Sequence, residues 1–365
     1  MPPRIRYTLM SALQTGPSAG TAAHPEELAA IADGERQLAV CGTAYGSGII
    51  FPQFSVFRQL PPGYSTALSS IHPAMNFKGC YTALVTPFKN GEVDYEALRK
   101  LVELQIAGRV AGIVPVGTTG ESPTLNVDEH LRVIEFVARV ADHRCQIIAG
   151  TGANSTEEAV RLTRAVEPMG VDATLQVTPY YNKPSSEGLY RHFATVAGCT
   201  ELPIVLYNVP GRTGKEIPLD VVVRLSSNAR VGAIKEAGGS VERVNAIRSR
   251  CKLPVLSGDD SLALPMMAVG AVGVISVLSN IVPSAVVRMC ELAAANDFVA
   301  ARVLHENYYR LAHALFIEAN PIPVKAALAD MGLVEEEYRL PLCGMETANR
   351  EILRGALRDA GVLLS

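Results

Sequence analysis

The stretch Arg230–Gly239, RVGAIKEAGG, decides how the rest of the chain is read. Val231–Ile234 is a short apolar run of the kind that forms a buried strand. It ends in Lys235, and glycines and a helix start follow at once. A lysine at the end of a buried strand packs poorly. Partly stripped of water, its amine is suited to attack a carbonyl. The same lysine also fits a plainer role, with its stem along the strand end and its head in water. The window alone leaves both readings open.

Outward from this stretch a rhythm appears. Short apolar runs recur at Tyr81–Val85, Gly112–Val116, Gln146–Gly150, Ala173–Val177, Ile204–Tyr207, Val231–Lys235, Val255–Ser257 and Gly273–Val277. Helix-period stretches lie between them, such as Tyr95–Ile106, Asp128–Val140, Glu157–Val166 and Gly188–Ala197. Eight strands alternating with helices over about 200 residues predict an α/β fold, a (β/α)8 TIM barrel. A doubly wound sheet is the competing architecture, but the first strand leads into TPFKNGEVD, with no G-x-G-x-x-G phosphate loop. After Val277 the pattern is helical only, at Ser284–Ala294, Phe298–Phe316, Ile322–Met331 and Glu346–Ala360. The expected organisation is a barrel over residues 75–292 and a C-terminal helical subdomain over 293–365. Asn126 with Glu129, and Ser155 with Glu158, have capping-box spacing and are expected to start helices.

Residues 1–74 differ in kind. They contain no lysine and are rich in Ala, Gly, Pro, Ser and Thr. The expectation is a poorly ordered extension or an upstream-start artefact, with a short helix over Ala22–Leu38 at most. Arg4 and Arg6 faintly suggest a transit peptide, but Glu26, Glu27, Asp33 and Glu35 argue against one.

Composition narrows the function classes. The chain is 365 residues long and 48% hydrophobic, enough for a sizeable core. A net charge of -3 and the lack of a basic cluster argue against nucleic acid. Seven scattered cysteines, without a C-x-x-C, and seven dispersed histidines argue against a metal site and fit reduced thiols in a cytoplasm. The apolar runs are far short of the roughly 20 residues of a membrane span.

In a barrel, the residues after each strand meet at one mouth. Here they are Gly117–Glu121 (GTTGE), Thr178–Asn182 (TPYYN), Tyr207–Gly214 (YNVPGRTG), Lys235–Glu236 and Gly258–Asp260. Lys235 can form a Schiff base with a 2-oxo acid. Tyr207, Thr118 and Tyr181 can relay protons. The GTTG turn offers amides and hydroxyls to a carboxylate, and Arg212 offers its fork to a second one. Singly, each window also fits a bland role: a capping loop, core aromatics, an ordinary turn, a surface ion pair. Their shared position after successive strands is the stronger signal.

GTTGE, VTPYYNKPSSEGLYRHF at 177–193, LYNVPGRTG at 206–214, IKEAGG at 234–239 and LSGDD at 256–260 resemble the dihydrodipicolinate synthase family. The resemblance runs from about Met75 to Leu364. It implies a lyase of lysine biosynthesis through diaminopimelate, condensing pyruvate with L-aspartate 4-semialdehyde and needing no metal or organic cofactor beyond the covalent imine on Lys235. It implies that Tyr207, Thr118 and Tyr181, the last from a neighbouring subunit, move protons. Thr119 would hold the pyruvate carboxylate, the Ile275 backbone would meet pyruvate, and Arg212 would bind the semialdehyde's carboxylate. It also implies a cytoplasmic homotetramer, a dimer of dimers. An L-lysine feedback site would comprise Ser122, His130, Asn154, Glu158 and Tyr180. Val127 departs from the histidine common there, so weakened inhibition is expected. Sister pyruvate-dependent aldolases, of the N-acetylneuraminate lyase or 2-keto-3-deoxy sugar acid type, share the lysine and tyrosine. The paired Thr118–Thr119 and Arg212 favour the synthase over these. A barrel that binds a small acid without turnover is the alternative of another class.

Overall fold

A computed structural model describes residues 75–363, and the expectations placed on residues 1–74 lie outside the described residues. Eight parallel strands form a closed barrel in chain order, the first pairing with the last. They are β1 (Gly79–Ala83), β2 (Gly112–Val114), β3 (Gln146–Gly150), β4 (Ala173–Val177), β5 (Ile204–Asn208), β6 (Val231–Glu236), β7 (Val255–Ser257) and β8 (Gly273–Ser276). Between and after them run α1 (Tyr95–Ala107), α2 (Val127–Ala141), α3 (Thr156–Val166), α4 (Ser186–Ala197), α5 (Leu219–Leu225), α6 (Val241–Arg248), α7 (Asp260–Ala268) and α8 (Pro283–Ala294). Three further helices follow: α9 (Phe298–Ala314), α10 (Ile322–Asp330) and α11 (Thr347–Asp359). Among the described residues no helix is long and apolar enough to cross a membrane.

The strands are apolar on both faces because both are covered. Residues such as Ile113, Ile147, Leu206, Ile234, Val255 and Val274 pack outward beneath the helices. Val114, Ile148, Leu175, Val205, Ala233, Leu256 and Ile275 fill the barrel interior. Strand β6 breaks the alternation once. Ile204 pairs with Val231, but Val205 pairs with Ala233, so Gly232 is an extra residue. Val231 belongs to the outer core and Ala233 to the inner one. The bulge therefore switches faces, and from there on Ala233 and Lys235 point inward. A side chain at Gly232 would place its Cβ 2.5 Å from the Phe77 ring.

Two expectations are corrected. β1 begins two residues earlier than read, because Gly79 and Cys80 already pair with Gly273 and Val274. The second capping box does not form. Asn126 accepts from the Glu129 N–H at 3.0 Å, and Glu129 accepts from the Asn126 N–H at 3.2 Å. Ser155, at the start of α3, is exposed and makes no such bond. Asn126→Ala is therefore expected to cost about 1 kcal/mol, whereas Ser155→Ala stays within roughly 0.5 kcal/mol; urea unfolding of both variants checks the contrast.

His192 on α4 contributes an acid sensitivity. Its Nδ1 lies 2.9 Å from the Thr156 hydroxyl, and its buried Nε2 has no partner among the described residues. Burial pushes the imidazole down to about 4. The unfolded chain then takes up the proton first, so stability falls as pH drops from about 6.5 towards 4. Relative to His192→Gln, the wild type is expected to lose about 3 kcal/mol across that window, measured by urea unfolding at each pH.

Candidate active site

The site grows from the pairing of β5 with β6. Tyr207 and Lys235 are register partners, so both side chains point into the barrel side by side. Lys235 is 6% exposed, and its ammonium lies 4.4 Å from the Tyr207 ring centroid. The Thr178 hydroxyl donates to the Tyr207 carbonyl at 2.8 Å and ties the end of β4 to β5. Glu236, next to the lysine, points to the other face and is fully buried. It accepts from Asn208 Nδ2, the Gly238 N–H and Arg243 Nε, each at 2.8 Å. Burial pushes its carboxyl up, while the Arg243 charge and these bonds pull it back. This anchor fixes the strand end that carries Lys235.

A cavity of about 230 Å³ opens beside Tyr207. That is below the roughly 300–1,000 Å³ of drug-sized sites, a scale suited to small acids. Thr118, Ser122, Tyr180, Tyr207 and Arg212 give it polar walls, and Leu175, Val177 and Val209 give it apolar ones. The GTTG turn is shaped by left-handed residues at both ends, Val116 at φ 53° and Glu121 at φ 55°. Its Gly120 and Glu121 N–H groups are bonded back to Gly117 and Thr118. Among the described residues, the Thr118 and Thr119 N–H groups meet no backbone carbonyl. Such a turn presents donors to an anion. Across the cavity, the Arg212 guanidinium finds one hydrogen-bond partner among the described residues, the Asn320 carbonyl at 3.2 Å. The residue is exposed, and its remaining donors meet no other described residue.

Asp259 and Asp260 follow β7. Burial raises both carboxyls, and the Lys235 charge opposes the rise in each. Asp260 accepts from the Ser276 hydroxyl at 2.5 Å and from the Val277 and Leu278 N–H groups at 2.9 Å, which pins the turn after β8. Ile275 lies just before this turn, fully buried opposite Tyr81. Among the described residues no three His, Cys, Asp or Glu side chains come together as a metal-binding group.

Of the expected residues, Tyr207, Thr118 and Arg212 line the cavity, Lys235 stands beside Tyr207, Thr119 follows Thr118 in the turn, and Ile275 lies on β8 in the inner core. Tyr181 is apart from them: it is 90% exposed, at φ 70°, and does not line the cavity. The residues of the second expected site also gather. His130 is buried, its Nε2 2.7 Å from the Gly150 carbonyl, and burial holds its imidazole low. Asn154 donates to the Tyr180 carbonyl at 3.3 Å. The Glu158 charge raises both the Tyr180 phenol, after burial, and the His130 imidazole, against it. With Ser155 not capping, Glu158 is not committed to a capping box.

Sequence reasoning missed the supports from the C-terminal segment. Asn320 Nδ2 donates to the Thr119 hydroxyl at 2.9 Å. Lys325 on α10 meets Glu121 at 2.5 Å, both 0% exposed. Arg339 grips Glu129 with two bonds, at 2.7 and 2.8 Å, and donates to the Thr124 carbonyl. One signal was available. Lys325 is the sole charge in the apolar run Ile322–Leu328, and a lysine buried on a helix needs a partner.

A closed parallel barrel whose sixth strand carries a buried amine beside Tyr207, with a cavity walled by hydroxyls and a guanidinium next to that tyrosine, has the architecture of a (β/α)8 enzyme. The chain belongs to the dihydrodipicolinate synthetase family, whose model matches residues 76–360. It is 49% identical over 289 residues to the 4-hydroxy-tetrahydrodipicolinate synthase of Pelobacter propionicus, covering 79% of this chain and 100% of that one. The chloride-inhibited dihydrodipicolinate synthase of Acinetobacter baumannii, solved with pyruvate, matches with a TM-score of 0.77 at 48% identity, covering 79% of this chain and 100% of that one. The enzyme of Cyanidioschyzon merolae, solved with lysine bound, matches with a TM-score of 0.77 at 39% identity, covering 79% and 99%.

Gly258 gives the site a test. A Cβ there would lie 2.5 Å from the Ala237 Cβ and 3.1 Å from Lys235 Cε. Gly258→Ala is expected to lower kcat at least tenfold, about 1.4 kcal/mol of barrier. Adding Ala237→Gly removes the closer clash and is expected to restore most of the loss, as steady-state kinetics of both variants would report.

Proposed function

We propose that this protein is a lyase that condenses pyruvate with L-aspartate 4-semialdehyde to 4-hydroxy-tetrahydrodipicolinate, the first committed step of lysine synthesis through diaminopimelate. The observation that carries this reading is the register pairing of Lys235 with Tyr207 beside the GTTG turn and Arg212. The names of the relatives favour it over the sister aldolases.

The neutral amine of Lys235 attacks C2 of pyruvate, and the carbinolamine loses water to give an imine. The Thr118–Thr119 turn holds the pyruvate carboxylate, beside the Ile275 backbone. The imine draws electrons from the methyl carbon, which gives up a proton and becomes an enamine. Tyr207, with Thr118 and Tyr181 of the partner subunit, carries protons to and from the reacting atoms. The enamine carbon bonds to the aldehyde carbon of the second substrate, and its oxygen takes a proton. Arg212 meanwhile holds that substrate's carboxylate. The substrate's own amine then attacks C2 and displaces Lys235, which closes the ring and frees the enzyme. The chemistry calls on no group beyond the lysine adduct.

The exposed Tyr181 supports assembly as a homotetramer, a dimer of dimers, in which this residue completes a neighbour's site. Six free cysteines among the described residues suit a cytoplasmic location. The barrel over residues 75–292 carries the chemistry, and the helices of 293–365 brace it. L-Lysine is a feedback inhibitor, bound by Ser122, His130, Asn154, Glu158 and Tyr180, with affinity lowered because Val127, 38% exposed, supplies no ring.

Supplied with both substrates and the next reductase of the pathway, the wild type is expected to consume the reductase's nicotinamide. Lys235→Ala is expected to lose at least about 10³-fold in kcat, about 4 kcal/mol of barrier. A Lys235→Ala enzyme that retains wild-type turnover would overturn the assignment.

A further inference from the structure

The strongest buried charge outside the reaction centre is the ion pair of Glu121 and Lys325, 2.5 Å apart and wholly removed from solvent. Glu121 ends the GTTGE turn in a left-handed conformation, and its N–H donates to the Thr118 carbonyl at 3.1 Å. Lys325 comes from α10, about two hundred residues later in the chain. Its ammonium lies 4.2 Å from the Phe88 ring and 5.2 Å from the Tyr338 ring, and burial lowers its affinity for a proton while Glu121 raises it. Tyr338 donates to the Ile322 carbonyl at 3.0 Å and holds the helix start. Asn320, just before α10, reaches Thr119. Two supports from the C-terminal segment, Asn320 and Lys325, therefore end on the turn that lines the cavity through Gly117 and Thr118.

Such a pair is a costly way to gain stability, since apolar residues of similar volume commonly do as well. What it supplies that an apolar pair does not is a fixed direction for the carboxylate, and so for the backbone that carries it. We propose that Lys325 and Glu121 are positioning residues for the 2-oxo acid: the ion pair locks the Thr118–Thr119 turn in the geometry that receives the substrate carboxylate. The inference rests on the pyruvate reading above. It assigns neither residue any contact with substrate.

The test separates positioning from stability. Lys325→Met and Glu121→Gln each leave one buried charge without its opposite, and both are expected to lower the melting temperature. The double variant Glu121→Gln/Lys325→Met removes both charges and is expected to regain most of that loss. Its KM for pyruvate is nevertheless expected to stay at least tenfold above the wild type, with kcat at saturating pyruvate and KM for the semialdehyde changed less than threefold. Glu121→Asp keeps the charge one methylene short of Lys325. It is expected to show the same selective rise in pyruvate KM, and it serves where the charge deletions do not fold. A pyruvate KM that returns to the wild-type value with stability in the double variant, or that is unchanged in Glu121→Asp, would overturn the positioning role. Borohydride capture of pyruvate on Lys235 of the wild type distinguishes the two levels. A wild type that captures none overturns the pyruvate reading and this role with it, whereas capture with unshifted variants overturns this role alone.

Discussion

The site depends on one extra residue. A strand alternates its side chains between two faces, so Val231 facing outward would force Ala233 and Lys235 outward too. Gly232 breaks that parity. With the bulge, the amine enters the barrel beside Tyr207. Without it, the ammonium would be driven into the apolar layer between strands and helices. The room for the bulge is set below the barrel, where Phe77 lies against the bare Cα of Gly232. A packing contact at the start of β6 thus accompanies the switch of face that turns Lys235 into the barrel.

The second constraint is the management of buried charge. Glu236 is answered by Arg243 and Asn208, Asp260 by a serine and two backbone amides, and Glu121 by Lys325. A buried charge without a partner costs several kcal/mol, so each of these groups ties together the elements that supply its partners. Glu236 ties β5, β6 and α6. Asp260 ties α7 to the turn after β8. Glu121 ties the turn after β2 to α10, and Glu129 ties the start of α2 to Arg339. The C-terminal segment is thereby joined to the loops at the strand ends.

Much of this was legible in the sequence. The strand–helix period located all eight strands, because strands buried on both faces read as plain apolar runs. The polar residues after each run marked the mouth, since only the loops can expose them there. The hairpin at Phe88–Lys89 and Glu92–Val93 passed unread, although Asn90-Gly91 is a strong turn signal and both residues take positive φ. Its strands are two residues long, too short for any periodicity to register. The supposed box at Ser155 shows the opposite error. The spacing was right, but the side chain makes no cap bond in the fold. The Gly232 bulge and the Glu121–Lys325 pair were beyond local reading, since each is defined by a partner distant in sequence. The apolar run around Lys325 hinted that a partner existed without naming it.

The most direct measurement is a crystal structure of the protein soaked with pyruvate. The account requires continuous density from Lys235 Nζ to C2 of the ligand, with the carboxylate against the Thr118–Thr119 turn and Tyr207 adjacent. Pyruvate joined to another lysine, or held at the turn with Lys235 unmodified, would contradict it.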